Sequence, residues 1–463
     1  MKAARVLSAG LAAGLLLTLA IEADAGTIWR RRTQLAARSA TPIHVAMYVY
    51  GQSNAGTSSG GDLAVSTTNG SPSAAPYGNL EYRTSAFVPA YSDTGAANSE
   101  EVCFGALNQL ASSYMSGSAS LVRGACQEAA VGSQRYTQLE DGTANWTTQW
   151  TEAAAMRTAY TSAFTNAQAP DTFVAWLQGE SDQTNGTSRA TYVGYLSDLW
   201  TDVCAEFTGA PWSATECPQI YLVPYGGATR LGSPGTATHS DSSEIVMAHY
   251  EACRDNPERF VCAHPGYAST LVTANEHYDA EGYRRNGAQL ARAWRLREIA
   301  GTDWRMLRPN AGSITCSGHT VTIPLVGGVG STLVIDTSYV ARKPHLGFEY
   351  TDSGSDPASI RSATVSTALG AAVLTLSRGC TSGARVRYAY SGGPGCNAGS
   401  GSTCSMGGNV RRSDCETSYY GESLCDWLMF FDEDVDTITP DEEFAGMRAF
   451  DDVGLGTYSP NTS

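Results

Sequence analysis

One serine of this chain directly follows an apolar run, a position that makes it a candidate nucleophile. Ser53 lies in the segment Gly51-Gln52-Ser53-Asn54, directly after a mostly apolar run over residues 43–50. We predict that this run is a buried strand, and ligands of open α/β sheets bind beyond the carboxyl ends of such strands. A serine hydroxyl is a weak nucleophile, so it requires a general base and donors for an oxyanion.

Three further segments carry candidate partners for this serine. Gly132 lies in the turn-like segment 130–133, Gln178 and Glu180 lie in Trp-Leu-Gln-Gly-Glu-Ser-Asp at 176–182, and His277 precedes a helical pattern. A histidine can act as general base, and amide N–H groups can stabilise an oxyanion. The order along the chain is therefore serine, glycine turn, amide with carboxylate, and histidine.

Together these segments resemble the sialate O-acetylesterase and carbohydrate esterase group of the SGNH hydrolase superfamily, over residues 43–295. The resemblance rests on Gly-Gln-Ser-Asn, on Gln-Gly-Glu-Ser-Asp, and on a histidine five residues before Gly-Tyr. It implies a flavodoxin-like, three-layer α/β domain with a parallel sheet. It also implies a secreted serine esterase that removes O-acetyl groups from carbohydrate through an acyl-enzyme, with no cofactor.

The resemblance also implies a role for each matching residue. Ser53 corresponds to the nucleophile, and His277 corresponds to the general base that later protonates the leaving sugar oxygen. The oxyanion hole would consist of the backbone N–H groups of Ser53 and Gly132 and the side-chain amide of Gln178. These donors would face charge that develops only in the transition state.

One position departs from the pattern of the group. An aspartate usually lies three residues before the histidine, whereas this chain has Ala274 there. Loss of such an orienting carboxylate can cost about 10⁴ in rate. Glu180 is the best candidate for a replacement acid, because it lies in the matching active-site segment. Glu276 is adjacent to the histidine, and adjacent side chains rarely converge in a loop. A backbone carbonyl could instead orient His277, or the protein could be an impaired enzyme that binds glycan.

Charge and the N-terminus limit the partners. The net charge of −15 disfavours nucleic acid, because phosphate binding requires a basic surface. Residues 1–25 have a basic start, a short apolar stretch and a small-residue cleavage site, which predicts a signal peptide. We therefore expect a secreted or periplasmic protein with no membrane association after cleavage, and the sequence leaves its oligomeric state open.

The cysteines fit an oxidising compartment. There are 12, with six before residue 300 and six after it, and disulfides are expected after export. No zinc-type cysteine and histidine spacing occurs, so we predict no catalytic metal. Local pairing predicts these disulfides: 103–126, 204–217, 253–262, 316–380, 396–404 and 415–425.

The pattern of apolar residues divides the chain. Strands predicted at 43–50, 172–177 and 219–224 alternate with helices predicted at 148–167, 189–207 and 280–299, which favours a parallel sheet covered by helices. Short β-type runs at 321–325, 332–335, 372–376 and 384–390 predict a small all-β, sandwich-like domain. The predicted units are a signal peptide at 1–25, a flexible N-terminus at 26–41, an SGNH-type esterase domain at 42–301, a β-rich domain at 302–435 and an acidic tail at 436–463.

Two alternatives to an acetylesterase remain at this stage. A glycan-binding protein on an esterase scaffold would explain Ala274 and the appended β-rich region. A lipase or thioesterase of the same superfamily would share the nucleophile, although the chain has no long apolar stretch of lid type. The sequence does not identify the acetylated sugar.

Overall fold

A computed structural model describes most of the chain beyond residue 42. The described residues are 43–56, 80–83, 86–89, 101–116, 119–120, 122–163, 170–208, 217–225, 244–270, 277–330, 332–391 and 407–439. The predicted signal peptide and N-terminus, Ala274, Glu276 and the predicted 396–404 disulfide lie outside these residues.

The α/β part of the chain, residues 43–299, is built around a sheet of seven strands. The strands of this part are β1 Ile43–Gly51, β2 Leu80–Arg83, β3 Ala86–Pro89, β4 Met115–Ser116, β5 Ala119–Ser120, β6 Val122–Ala130, β7 Asp171–Leu177, β8 Ile220–Leu222 and β9 Phe260–Cys262. The large sheet has the order β3-β2-β6-β1-β7-β8-β9, and β4 pairs only with β5. All its neighbouring strands are parallel except β2 and β3. β1 therefore lies in the interior of the sheet.

Helices cover both faces of this sheet. They are α1 Glu101–Ser113, α2 Ala144–Ala163, α3 Glu180–Thr184, α4 Arg189–Thr208, α5 Glu244–Asp255 and α6 Ala280–Trp294, and a π-helical turn follows at Arg295–Ile299. Successive side chains of a strand point to opposite faces. One face of β1 packs with α2, α4 and α5, and the other packs with α1 and α6. The two faces of β1 carry, respectively, Ala46, Tyr48 and Tyr50, and Val45, Met47 and Val49.

Local capping explains where two helices begin. The helix predicted at 148–167 begins earlier, because the Thr143 hydroxyl accepts a hydrogen bond from the Trp146 N–H at 3.2 Å. At α6, the Asp279 carboxylate accepts from the Gly282 N–H at 2.7 Å. The helix predicted at 280–299 thus begins where expected, and its last five residues form the π-helical turn.

Among the described residues, the chain after the π-helical turn consists of strands, connecting turns and one short 3₁₀ helix, Pro344–Gly347. The strands are β10 Arg308–Pro309, β11 Thr315–Ser317, β12 Thr320–Val326, β13 Leu333–Ile335, β14 Phe348–Thr351, β15 Ile360–Ser366, β16 Ala371–Leu376, β17 Arg385–Tyr388, β18 Val410–Thr417, β19 Ser423–Trp427, β20 Phe431–Asp434 and β21 Thr437–Thr439. Their sheets have the orders β15-β16-β12-β11-β21, with β10 on β12, then β13-β18-β19 and β14-β17-β20. The predicted class, a three-layer α/β fold followed by a β-rich region, is confirmed.

The β-rich region packs closely on the α/β part. Arg292 of α6 is 1% exposed and forms a salt bridge of 2.7 Å with Asp426 of β19. Arg189 of α4 lies 3.1 Å from Asp432 of β20. The predicted acidic tail begins with β21, which pairs in parallel with β11, so the β-rich region extends at least to residue 439.

Each disulfide among the described residues joins two cysteines that are consecutive in the sequence. Five predicted pairs are confirmed: Cys103–Cys126, Cys204–Cys217, Cys253–Cys262, Cys316–Cys380 and Cys415–Cys425. Within the described ranges, no helix combines the length and the apolar character that a bilayer span requires.

Candidate active site

Ser53 lies immediately beyond the carboxyl end of β1, at the start of a short 3₁₀ helix, Ser53–Ala55. The Gln52 N–H donates to the Leu177 carbonyl at 3.0 Å, which ties this turn to the end of β7. A Cβ atom on Gly51 would lie 2.0 Å from the same Leu177 oxygen, and Gly51 has a φ of +151°. The turn that presents Ser53 therefore requires glycine at position 51.

The structure brings His277 to Ser53. The His277 Nε2 atom lies 2.9 Å from the Ser53 Oγ atom, although 224 positions separate them in the sequence. Ser53 is 8% exposed and His277 is half-buried, so the pair lies just below the molecular surface. A hydroxyl and an imidazole at this distance can exchange a proton.

The capping of α6 anchors the segment that carries His277. The Asp279 carboxylate accepts from the Gly282 N–H at 2.7 Å and from the Thr270 hydroxyl at 2.5 Å. The Asp279 N–H in turn donates to the Thr270 carbonyl at 3.1 Å. The start of α6 is therefore fixed two residues after His277.

The Glu180 side chain is buried and contacts Asn54, the residue that follows Ser53. Glu180 begins α3 and is 8% exposed, and its Oε1 atom accepts from Asn54 Nδ2 at 2.5 Å. The Tyr283 hydroxyl donates to Asn54 Oδ1 at 3.0 Å. Burial, together with the charge of Glu180, raises the pKa of Tyr283 well above its usual value, so its hydroxyl stays a donor.

These contacts join the three segments that carry the candidate residues. Asn54 adjoins Ser53, Glu180 follows Gln178 by two positions, and Tyr283 follows His277 by six. Orientation of His277 by Glu180 stays a prediction, since the contact shown for Glu180 is to Asn54.

Gln178 is held by a network of buried groups. The Tyr192 hydroxyl donates to Gln178 Oε1, and Gln178 Nε2 donates to Asp182 Oδ2 at 2.6 Å. Asp182 also accepts from the Tyr136 N–H at 2.8 Å and from the Thr187 hydroxyl at 2.9 Å. Burial, reinforced by the charge of Asp182, raises the pKa of Tyr192 well above its usual value. The orientation of the Gln178 amide is thus fixed from both ends.

Two further oxygen atoms lie near the nitrogen of the Gln178 amide. Gln178 Nε2 is 3.2 Å from the Gln134 carbonyl and 3.3 Å from Gln52 Oε1. One of its two N–H bonds is therefore directed to Asp182, and only the second remains for these oxygens or for a substrate. The predicted role of Gln178 in an oxyanion hole depends on that second N–H.

Gly132 lies just past the end of β6, beside the Ser53 turn. The Val131 N–H donates to the Gly51 carbonyl at 3.0 Å, which joins the two loops. No atom lies within 4 Å of the position that a Cβ on Gly132 would take. Ser133 has a φ of +61°, a left-handed conformation that is uncommon outside glycine. All four predicted segments therefore meet at the carboxyl edge of the sheet.

Several residues of this site were not among the sequence-based candidates. Gln52 and Asn54 belong to the same motif as Ser53, and Tyr283 belongs to the Gly-Tyr pair after the histidine, so their motifs were the available signal. Tyr192 showed only the spacing of a helix face that packs inward. Among the residues with described positions, no group of three or more His, Cys, Asp or Glu side chains is arranged to hold a metal ion.

Comparison with known proteins identifies the fold. No family model matches the chain, and no curated protein matches it. A carbohydrate acetylesterase from Xanthomonas citri superposes over 85% of this chain and 80% of its own, with a TM-score of 0.51 and 13% sequence identity. A protein from Arabidopsis thaliana aligns with 55% of this chain and 98% of its own, at a TM-score of 0.38 and 15% identity.

A carbohydrate acetylesterase from Sinorhizobium meliloti, Est24, aligns with 54% of this chain and 97% of its own, at a TM-score of 0.30 and 14% identity. The superposition on the Xanthomonas citri enzyme covers more than the α/β part, so it includes β-rich segments. The chain therefore shares its fold with that carbohydrate acetylesterase.

Proposed function

We propose that this protein is a serine esterase that removes O-acetyl groups from carbohydrate. The observation that carries the proposal is the 2.9 Å contact between Ser53 Oγ and His277 Nε2 beyond the carboxyl end of β1. The shared fold with a carbohydrate acetylesterase and the resemblance of the motifs to the SGNH group support the same conclusion.

The acylation step follows from this geometry. Ser53 Oγ attacks the acetyl carbonyl carbon while His277 takes the hydroxyl proton, and the carbonyl oxygen becomes an oxyanion. The backbone N–H groups of Ser53 and Gly132 and the amide of Gln178 are the proposed donors to this oxygen. The tetrahedral intermediate then breaks its bond to the sugar oxygen, which leaves with the proton from His277.

Deacylation repeats these steps with water as the nucleophile. His277 takes a proton from water, the hydroxide oxygen attacks the acetyl-Ser53 carbonyl, and collapse releases acetate and returns the proton to Ser53. Glu180 is our candidate for the acid that orients His277 in both steps. Its burial beside Asn54 keeps it within the same group of segments as the catalytic pair.

Substrate and location belong to the same proposal. An acetylated carbohydrate is supported by the resemblance of the motifs and by the name of the Xanthomonas citri enzyme. A secreted or periplasmic location is supported by the five disulfides and by the predicted signal peptide.

Hydrolysis of 4-nitrophenyl acetate tests the proposal. We expect Ser53→Ala to lower kcat/KM by at least about 10⁴, because the nucleophile is lost. Ser197→Ala is the matched control, since Ser197 is an exposed serine on α4 and should leave the rate unchanged. Equal rates for Ser53→Ala and the wild-type protein would exclude Ser53 from the reaction.

A series of acyl chain lengths separates the acetylesterase from a lipase or thioesterase. We expect the highest kcat/KM with the acetyl ester, whereas a preference for esters of long acyl chains would reject an acetylesterase. A wild-type protein that binds acetylated glycan but hydrolyses none of these esters would instead be the impaired glycan-binding protein.

A further inference from the structure

One side chain of α6, that of Tyr283, contacts the neighbour of each residue of the proposed catalytic pair. Its hydroxyl donates a hydrogen bond to Asn54 Oδ1 at 3.0 Å, and Asn54 directly follows Ser53. Its ring packs edge-on against the ring of Tyr278, with 5.6 Å between the ring centres and 81° between the ring planes. Tyr278 directly follows His277. Tyr283 therefore contacts both the turn that carries the serine and the segment that carries the histidine.

These contacts lie in the interior of the protein, where they hold a defined geometry. Tyr283 and Tyr278 are each 3% exposed, and Asn54 is 2% exposed. Asn54 also donates to Glu180, and the Tyr278 ring also packs edge-on against the ring of Tyr225, with 6.4 Å between the ring centres. Edge-to-face ring pairs and hydrogen bonds both have preferred geometries. A buried group of such contacts restricts the movement of the serine turn relative to the histidine segment.

We propose that Tyr283 is a positioning residue, which sets the distance between Ser53 Oγ and His277 Nε2 through Asn54 and Tyr278. This inference rests on the proposed esterase function, because it concerns the two groups that would exchange the proton. The serine follows β1 and the histidine precedes α6, so contacts between elements must define their separation. A displacement of about 1 Å in such a pair can cost about 10² in rate.

Tyr283→Phe removes the hydroxyl and keeps the ring against Tyr278. With 4-nitrophenyl acetate we expect kcat to fall by about 10- to 100-fold and KM to change less than about threefold, because the variant displaces the pair and leaves the substrate contacts in place. The rate of covalent labelling by an alkyl fluorophosphonate should fall by a similar factor, since this reaction requires Ser53 to be activated by His277. A purely structural role would change the melting temperature and neither rate.

Tyr160→Phe provides the matched control, because it also removes one hydroxyl from a buried tyrosine. Tyr160 is 1% exposed, and its hydroxyl lies 2.7 Å from His44 Nδ1 and 3.3 Å from the Arg123 carbonyl. His44 and Arg123 pair near the amino ends of β1 and β6, whereas Ser53 follows the carboxyl end of β1. We expect Tyr160→Phe to lower the melting temperature and to hydrolyse the ester at the wild-type rate.

A double-mutant cycle tests whether the hydroxyl acts through Asn54. Asn54→Ala removes the acceptor of the hydrogen bond, so adding Tyr283→Phe to this variant should lower kcat by less than about twofold further. The same loss in both backgrounds would overturn the proposed path through Asn54.

Tyr278→Leu tests the ring contact in the same two assays, and it decides the proposal if Tyr283→Phe does not fold. We expect kcat and the labelling rate to fall by at least about tenfold, because the residue next to His277 loses its packing against Tyr283. Wild-type values for both rates in this folded variant would overturn the inference.

The remaining outcomes separate this inference from the proposed function. Wild-type kcat and labelling rate in folded Tyr283→Phe, with Ser53→Ala inactive, would overturn the role of Tyr283 alone. Full activity of Ser53→Ala would overturn both. A raised KM with an unchanged kcat in Tyr283→Phe would also overturn the inference, because Tyr283 would then act on substrate binding.

Discussion

The Ser53 hydroxyl lies 2.9 Å from His277 Nε2, and we propose that His277 accepts its proton. What differs from the usual pattern of the group is the acid, because position 274 is alanine. Glu180 is a buried carboxylate in the same set of segments, and its Oε1 atom is bound by Asn54. A substitution can separate the effect of the Glu180 charge from the effect of its contact with Asn54.

Glu180→Gln tests the charge, because glutamine keeps an oxygen for the Asn54 amide, removes the charge and replaces the second carboxylate oxygen with an amide nitrogen. If the carboxylate orients and stabilises protonated His277, kcat/KM should fall by about 10²–10⁴ while the protein still unfolds at the wild-type temperature. Hydrolysis of 4-nitrophenyl acetate and thermal unfolding measure both effects. A loss below about threefold would assign Glu180 to structure alone.

At the level of the elements, the start of α6 places His277. The Asp279 carboxylate caps this helix through the Gly282 N–H and also binds the Thr270 hydroxyl, so it links the helix to the chain before residue 271. The position of His277 relative to Ser53 therefore depends on a cap that touches neither of them. We therefore expect α6 to affect the proposed activity as well as the core.

Asp279→Ala should reduce both stability and activity. Loss of an N-cap costs roughly 0.5–2 kcal/mol in the free energy of unfolding. We also expect kcat to fall by at least about tenfold, because small displacements of a catalytic group are costly. Urea unfolding and ester hydrolysis measure the two effects, and Asp279→Asn, which can still cap, should stay near wild type. Unchanged activity in folded Asp279→Ala would show that the cap does not position His277.

The sequence was most informative about elements and least about contacts between them. Strand β1 and helix α4 were predicted from apolar spacing, and Ser53, Gln178 and His277 from their motifs. The links from Asn54 to Glu180 and to Tyr283 join residues 126 and 229 positions apart, respectively. Periodicity describes one element at a time, so it carries no signal for such hydrogen bonds.

For the molecule as a whole, two buried histidines make the free energy of unfolding depend on pH. Burial lowers the pKa of His249 and of His264 to about 3, with nearby arginine charges adding to the effect at His264. Both rings are neutral in the folded protein at pH 5, whereas an unfolded histidine with its ordinary pKa of 6.5 is mostly charged there. The unfolded chain then binds more protons, so stability falls as the pH decreases below 6.5 towards 3.

The free energy of unfolding should therefore be smaller at pH 5 than at pH 7, by about 2 kcal/mol for each of these histidines. Urea unfolding at the two pH values measures the total. His249→Gln removes one titrating group, so it should reduce the difference by about 2 kcal/mol. The same difference in this variant as in the wild-type protein would show that His249 does not contribute.

The packing of the β-rich region on the α/β part was beyond sequence analysis. Arg292 lies on α6 and Asp426 on β19, and each would look like an ordinary surface charge in its own segment. Only the docked arrangement leaves them 1% and 4% exposed and paired. The disulfides could be predicted, by contrast, because each of the five joins two cysteines that are consecutive in the sequence.

Covalent labelling tests most directly whether Ser53 is an activated nucleophile. An alkyl fluorophosphonate reacts with a serine that an adjacent base activates, and mass spectrometry of the digested protein locates the adduct. We predict one adduct per chain, on Ser53, which disappears in His277→Ala. An unlabelled wild-type protein, or an adduct on a different serine with Ser53 unmodified, would contradict the account.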